Sequence, residues 1–319
     1  PSVSVVLPCH NRASMLGRSV PSILAQSVRD FELIIVDDGS RDDTAEVLRG
    51  FADPRIRVAS LGANRGVAVA RNVGIGLAAG RYMAVMDSDD EAEPHRLERQ
   101  LACMEETPGV DILGSNLVKI AGGEEIPMTH DPRDGVIKAR LLTVSGAAMI
   151  HPTSFVRMSF LKRHGLRYPI VRTDEDHAFW LEAMLRGATF SVHGDSLLRY
   201  HRHGGNLTSR TDPGRADHLR RKTALRQRML AAFFPRLATA ETWRLARLME
   251  EGRPQTAASV RAGLGVISRA LTDGRSRHGE SKPEVFRILR AYEASALHAL
   301  ATLGGGAEGA SRPTSRTPP

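Results

Sequence analysis

The chain has 319 residues, 41% hydrophobic and 25% charged, a composition that excludes a largely disordered or collagenous chain. Its two cysteines, Cys9 and Cys103, are too few for a disulfide framework and lack metal-type spacing, so a reducing, cytoplasmic setting is expected. The net charge of +8 is uneven: residues 1–209 carry 24 Lys and Arg against 26 Asp and Glu, and residues 210–319 carry 20 against 10, which assigns chemistry to the first part and scaffolding or attraction to an anionic partner to the second.

From the N-terminus, short β-branched runs alternate with amphipathic segments, the pattern of strands joined by crossover helices in a mostly parallel α/β sheet. Strands are predicted at residues 2–7, 31–36, 56–59 and 82–86. Between them, Leu16, Val20, Ile23 and Leu24 fall on one helical face and Val47, Leu48 and Phe51 on another. A third helix is predicted over 67–79, with Val69, Val73 and Leu77 recurring, and a fourth begins with Pro94 and ends before Pro108. Strand-like pieces at 111–114, 153–156, 189–192 and 197–200 surround a helix over 176–186. Beyond Thr211 the strands stop, and Arg-rich segments at 216–234, 241–250, 255–271 and 284–303 read as helices. The Gly/Pro/Ser-rich stretch 304–319 is expected to be disordered. No apolar run approaches the roughly 20 residues that span a bilayer, and the N-terminus lacks a signal pattern.

Ligands of open α/β sheets bind beyond the carboxyl ends of the strands. There the sequence places Pro8-Cys9-His10-Asn11-Arg12, Asp37-Asp38-Gly39-Ser40 and Asp87-Ser88-Asp89-Asp90. In the last cluster, carboxylates at i and i+2 allow one to reach a metal while the other hydrogen-bonds a neighbouring sugar hydroxyl. Mg²⁺ and Mn²⁺ prefer such oxygen ligands and are commonly completed by substrate phosphates. The alternative is a solvated acidic turn capping the next helix.

These runs, taken with Asn64-Arg65-Gly66-Val67-Ala68-Val69-Ala70-Arg71-Asn72, resemble the family 2 glycosyltransferases in order and spacing over residues 2–209. The resemblance implies the GT-A fold, a Rossmann-like sheet flanked by helices, in a domain over 1–210. Its nucleotide-binding half is 1–110 and its acceptor half 111–210, followed by a helical region over 211–303. It further implies that Pro8, His10, Asn11, Arg12, Asp37, Asp38, Gly66, Arg71, Asp87 and Ser88 surround the nucleotide. Asp38 is expected toward the base, Asp87 on the ribose, and Asp89 on a Mn²⁺ or Mg²⁺ ion.

Thr173-Asp174-Glu175-Asp176 precedes a helix carrying Phe179 and Trp180 and resembles the family's Glu-Asp motif. On that match Asp176 is the general base, best served by a pKa raised through burial, and Glu175 orients it or the acceptor. Tyr200-His201-Arg202-His203 resembles the segment after the last strand, with His201 where Arg is usual. His203 then ligates the metal or contacts the diphosphate. His151-Pro152-Thr153-Ser154 resembles a segment of bacterial polysaccharide members near the acceptor side.

The implied activity is inverting, metal-dependent transfer from a nucleotide sugar, UDP-linked by family habit, to a glycan or lipid-linked acceptor. The basic helices form a cap expected to touch the anionic inner membrane face. A sugar-1-phosphate nucleotidyltransferase is the nearest enzymatic rival, but the usual Gly-rich triphosphate loop is missing. A non-enzymatic nucleic-acid binder is the other, yet the basic segment holds no recognisable reading motif.

Overall fold

The computed structural model describes residues 1–145, 148–203, 215–250, 255–272 and 281–305. Of the tail expected to be disordered, residues 306–319 lie outside the described residues, as do Gly204–Ser209 of the segment following His203. The chain divides into two compact units, Pro1–His218 and Leu219–Pro319.

In the first unit, β1 (Val3–Cys9), β2 (Phe31–Asp37), β3 (Ile56–Ser60) and β4 (Tyr82–Val85) run parallel in the order β3-β2-β1-β4. Both β1 and β2 are buried along their whole length. Continuous apolar runs, instead of polar–apolar alternation, suit strands covered on both faces. Alternate residues still serve opposite layers. Leu33 and Ile35 pack with Leu16, Val20 and Ile23 of α1 (Ala13–Leu24). Ile34 and Val36 pack with Ala70 of α3 (Val67–Leu77) on the other face. The short α2 (Thr44–Arg49) joins β2 to β3 and stops before Phe51.

The buried residues of α3 are Ala68, Ala70, Arg71, Gly74 and Ile75, while Val73 and Leu77 of the recurring line are half-buried and pack against Ile34, Val36 and Ala70. Gly74 lets the helix press against Val6, whose Cγ1 stands 2.3 Å from where a Cβ at position 74 would lie. Close approach therefore selected small residues, which hydrophobic periodicity does not rank.

A short β5 (Glu91–Ala92) pairs antiparallel with the last strand, which keeps the chain extended past Ala92. For this reason α4 (Arg96–Glu106) begins two residues after Pro94, and the Pro94 carbonyl accepts the Ser27 N–H at 3.0 Å. Next, β6 (Ile112–Ala121) is far longer than the predicted piece and turns into β7 (Glu124–Met128) through Gly122 and Gly123. Both glycines have positive φ, +60° and +85°, as a two-residue hairpin requires. Two further helices escaped prediction, α5 (Asp134–Arg140) and α6 (Met158–His164), on either side of β8 (Phe155–Arg157). The helix α7 (Glu175–Leu185) lies where expected.

The pieces predicted at 189–192 and 197–200 are one strand, β9 (Phe190–Arg202). Its polar break at His193-Gly194-Asp195 is absorbed by register shifts against β6 around Asn116, whose Nδ2 donates to the Gly194 carbonyl at 2.7 Å. The sheet continues β4-β8-β6-β9-β5 with mixed directions: β8 pairs antiparallel with β4 and β6, β6 pairs parallel with β9, and β5 pairs antiparallel with β9.

Among the described residues, the elements of the second unit are helices: most of α8 (Arg215–Phe233), then α9 (Thr239–Leu248), α10 (Ala257–Thr272) and α11 (Lys282–Gly305). Its described core includes Met229, Leu230, Leu245, Val266, Ile267 and Leu289, all buried.

Candidate active site

Parallel register brings three strand ends to one edge: Cys9 at the end of β1 pairs with Asp37 at the end of β2, and β4 lies on the other side of β1. The loops leaving them interlock. The His10 Nδ1 lies 2.8 Å from the Asp38 carbonyl oxygen, and since a carbonyl only accepts, Nδ1 carries the proton. The Asn11 N–H donates to Ser40 Oγ at 2.9 Å, and Asn11 Oδ1 accepts the Arg41 N–H at 2.8 Å. The Arg12 N–H donates to Thr44 Oγ1 at 2.8 Å. Pro8, within β1, faces Val36 in register.

The two buried carboxylates of the second loop are committed to backbone. Asp37 Oδ1 accepts the Ser40 N–H at 3.0 Å; Asp38 accepts the Arg65 N–H on one oxygen at 2.7 Å and the Gly66 N–H on the other at 2.8 Å. Asp38 thereby fixes the entry to α3. At the end of β1, burial, reinforced by Asp37, pushes the Cys9 thiol up to about 12.

At the end of β4, one ligand-type oxygen from each of Asp87, Asp89 and Asp90 lies within 4.8 Å of the others. Ser88 between them is buried. Burial and then Asp87 push the Asp89 carboxyl up, with the Arg12 guanidinium opposing. Burial, Asp87 and Asp89 push Asp90 well up. Asp90 Oδ1 accepts the His201 N–H at 2.9 Å, while Oδ2 has no partner among the described residues. Crowded, partly desolvated oxygens of like charge are what a hard divalent cation relieves, so the donor set fits Mg²⁺ or Mn²⁺. Just past β9, His203 Nε2 reaches 3.1 Å from Asp89 Oδ2, so the two sequence-assigned metal residues are neighbours. His201 turns instead to Glu91, 2.6 Å from its Oε1, and Arg202 is exposed.

Arg71 joins this cluster to α7. Its buried guanidinium lies 2.8 Å from Asp87 Oδ1 and 2.6 Å from Glu175 Oε1, and sits over the Tyr168 ring at 5.4 Å. Beside it, Asn72 exchanges two hydrogen bonds of 2.8 Å with the Tyr168 backbone. Burial pushes the Glu175 carboxyl up; Arg71 opposes this and Asp176 adds to it, leaving the net direction upward.

Asp176 departs from expectation. Burial alone raises its pKa, but the His177 charge and hydrogen bonds outweigh it and hold the carboxyl well below the usual range. Asp176 Oδ1 accepts the His177 N–H at 2.8 Å and faces His177 Nδ1 at 3.2 Å. The side chain is 28% exposed.

The sequence reading passed over several residues here. Asp90 stood in a singled-out run without a role. His177 follows the Glu-Asp pair but occupies a buried face of α7, where a histidine gives no signal of its own. Arg96 is fully buried and donates to the Val85 and Pro152 carbonyls, each at 2.8 Å. Burial pulls it down to about 10, against Asp90 and Asp87. No spacing rule foretells a cation under an acidic cluster.

Carboxylates gathered beyond a parallel sheet edge, tied through one arginine to a helix-borne acid pair, define a glycosyltransferase domain of the GT-A class. The solved structure of S. aureus TarS 1–349 in complex with UDP-GlcNAc shares the fold, with a TM-score of 0.63 at 19% identity over 94% of this chain and 92% of that chain. The family model for glycosyl transferase family 2 matches residues 4–165, and the chain belongs to that family. It is 31% identical over 223 residues to the succinoglycan biosynthesis protein ExoO of Rhizobium meliloti, covering 65% of this chain and 63% of ExoO. It is 33% identical over 217 residues to TuaG of Bacillus subtilis, a glycosyltransferase assigned to teichuronic acid biosynthesis, covering 66% of this chain and 82% of TuaG.

Proposed function

We propose that the chain is an inverting, divalent-metal-dependent transferase that moves a sugar from a UDP-linked donor to a hydroxyl of a glycan or lipid-linked acceptor, in polysaccharide or glycolipid synthesis. The observation that carries this is the Arg71 bridge, which couples the strand-end aspartates to the Glu175-Asp176 pair. The names of ExoO and TuaG support the pathway, and the TarS complex supports the donor class.

In this reading the loops at Pro8, His10, Asn11, Arg12, Asp37, Asp38 and Gly66 shape the nucleotide site. Asp87 and Ser88 border the ribose, and Asp89 with His203 would hold the cation. Mn²⁺ or Mg²⁺, when bound, supplies Lewis-acid neutralisation of a diphosphate leaving group. Asp176 accepts the acceptor's hydroxyl proton as that oxygen bonds to the anomeric carbon and the bond to the diphosphate breaks. A carboxylate this acidic takes the proton only once bond formation has made the hydroxyl acidic. The reading takes the displacement as direct, with inversion at the anomeric carbon and no covalent intermediate. Residues 1–210 form the catalytic domain, divided near 110 into nucleotide and acceptor halves. The helical region from 211 places its excess positive charge against anionic lipid.

The test is thermal stability with UDP and other nucleoside diphosphates, each with and without Mn²⁺ or Mg²⁺. UDP with metal should raise Tm and turnover of a UDP-sugar should release UDP. No stabilisation by any nucleoside diphosphate would overturn the reading.

A further inference from the structure

His177 holds a position no step of the proposed reaction uses. Its ring is buried on α7, edge-on to Trp180 with centroids 5.4 Å apart. Nδ1 faces Asp176 Oδ1 at 3.2 Å and Nε2 faces the Ser145 carbonyl oxygen at 3.1 Å. A carboxylate and a carbonyl both only accept, so a ring between them is satisfied on both sides only when both nitrogens carry protons. The neutral ring would leave one buried nitrogen facing an acceptor lone pair, a costly arrangement.

The surrounding charges agree. Burial works against the cation, but Asp176 first and the Ser145 carbonyl and Asp174 after it carry the ring's pKa above its ordinary value. A second histidine near Asp176 behaves oppositely. His151, from the turn at His151–Thr153, has Nε2 at 2.8 Å from the Tyr168 hydroxyl and no partner on Nδ1 among the described residues. Burial, and then Arg71, hold it neutral, with Asp176 opposing and His177 adding to the effect. Glu175 is engaged by Arg71, and Asp174 by His218 at 3.0 Å. Among these groups His177 alone bonds Asp176.

Resting on the assignment of Asp176 as the base, we propose that His177 is a positioning residue. Held as an imidazolium between Asp176 and Ser145, it engages one carboxylate oxygen and leaves Oδ2 to receive the acceptor's proton. A carboxylate whose rotation is fixed in this way presents the same oxygen in each cycle, and small misplacements of catalytic groups are expensive in rate. The ion pair also keeps Asp176 deprotonated wherever the chain is folded near neutrality.

The test follows the His177 ring by NMR across pH in the full chain, its signals assigned by their absence from His177→Asn. The ring should titrate above about 6.5, and in Asp176→Asn the titration should fall by about one pH unit or more, as loss of an opposite charge at this range requires. In parallel, His177→Gln, which keeps a donor toward Ser145 but none toward Asp176, should lower kcat for UDP release from a UDP-sugar roughly tenfold while UDP affinity stays unchanged. A ring titrating at or below its ordinary value, a titration unmoved by Asp176→Asn, or an unchanged kcat in His177→Gln would each overturn the proposal. Full turnover by Asp176→Asn would instead sink the base assignment beneath it.

Discussion

Arg71 is the side chain on which the geometry of the site turns. One guanidinium spans Asp87 and Glu175 because its fork offers two separated donor edges, which a lysine ammonium does not. Arg71→Ala leaves two carboxylates uncompensated in a buried setting and should cost about 3–5 kcal/mol, read as a shift in the urea midpoint; Arg71→Lys should recover only part. Asp90 works in the other direction. Removing its charge by Asp90→Asn relieves repulsion in the acidic cluster while Oδ1 keeps its bond from His201. The metal-free protein should therefore gain about 1 kcal/mol, roughly 2–4 °C in Tm, and lose stabilisation by Mn²⁺. His177 yields the pH prediction. Its folded pKa is raised, so the stability it adds is fully present below about 6.5 and is lost as pH rises through the folded value. The stability gap between wild type and His177→Asn should be widest at acidic pH and close on the alkaline side, measured by chemical denaturation.

At the scale of elements, the contact of α3 with β1 decides where Arg71 points. Gly74 permits it, since an added Cβ would meet the Val6 side chain. Gly74→Ala should destabilise by about 1–3 kcal/mol through overpacking, and Val6→Ala in the same chain should restore part of that loss. A double-mutant cycle showing simple additivity would refute the direct clash. The strands and helices around this contact were legible because parallel strands buried on both faces leave continuous β-branched runs, as in residues 31–37. What misled was polar punctuation. His193-Gly194-Asp195 reads as a loop, yet pairing with β6 outweighs it. Pro94 reads as a helix start, yet the pairing of Glu91–Ala92 with β9 postpones the helix. Both errors arise where long-range pairing overrides local propensity.

For the whole molecule, two consequences are measurable. A ligand that binds only the folded chain stabilises by about 2.7 kcal/mol at a hundredfold excess over Kd, so UDP with Mn²⁺ should raise Tm, and Asp89→Ala should abolish the metal's share. The excess of 20 basic over 10 acidic residues beyond position 209 should give binding to anionic vesicles at low ionic strength that fades by 0.15 M salt, as screening shortens electrostatic reach to about 8 Å. Among the described residues no helix is long and apolar enough to cross a membrane. Vesicle sedimentation with no binding at low salt would remove lipid contact from the proposed function.

The sequence by itself determined the succession of the first four strands along the chain, the acidic runs that follow them and the shift from mixed structure to basic helices, because these are local matters of propensity, periodicity and composition. Only the tertiary structure decided the charge and the aim of the site's groups. Burial drives Asp90 up; His177 overrides burial and draws Asp176 down; Arg71 finds Glu175 across 104 positions of chain. Each of these depends on which charges share a desolvated space, and that is settled by packing between segments remote in sequence.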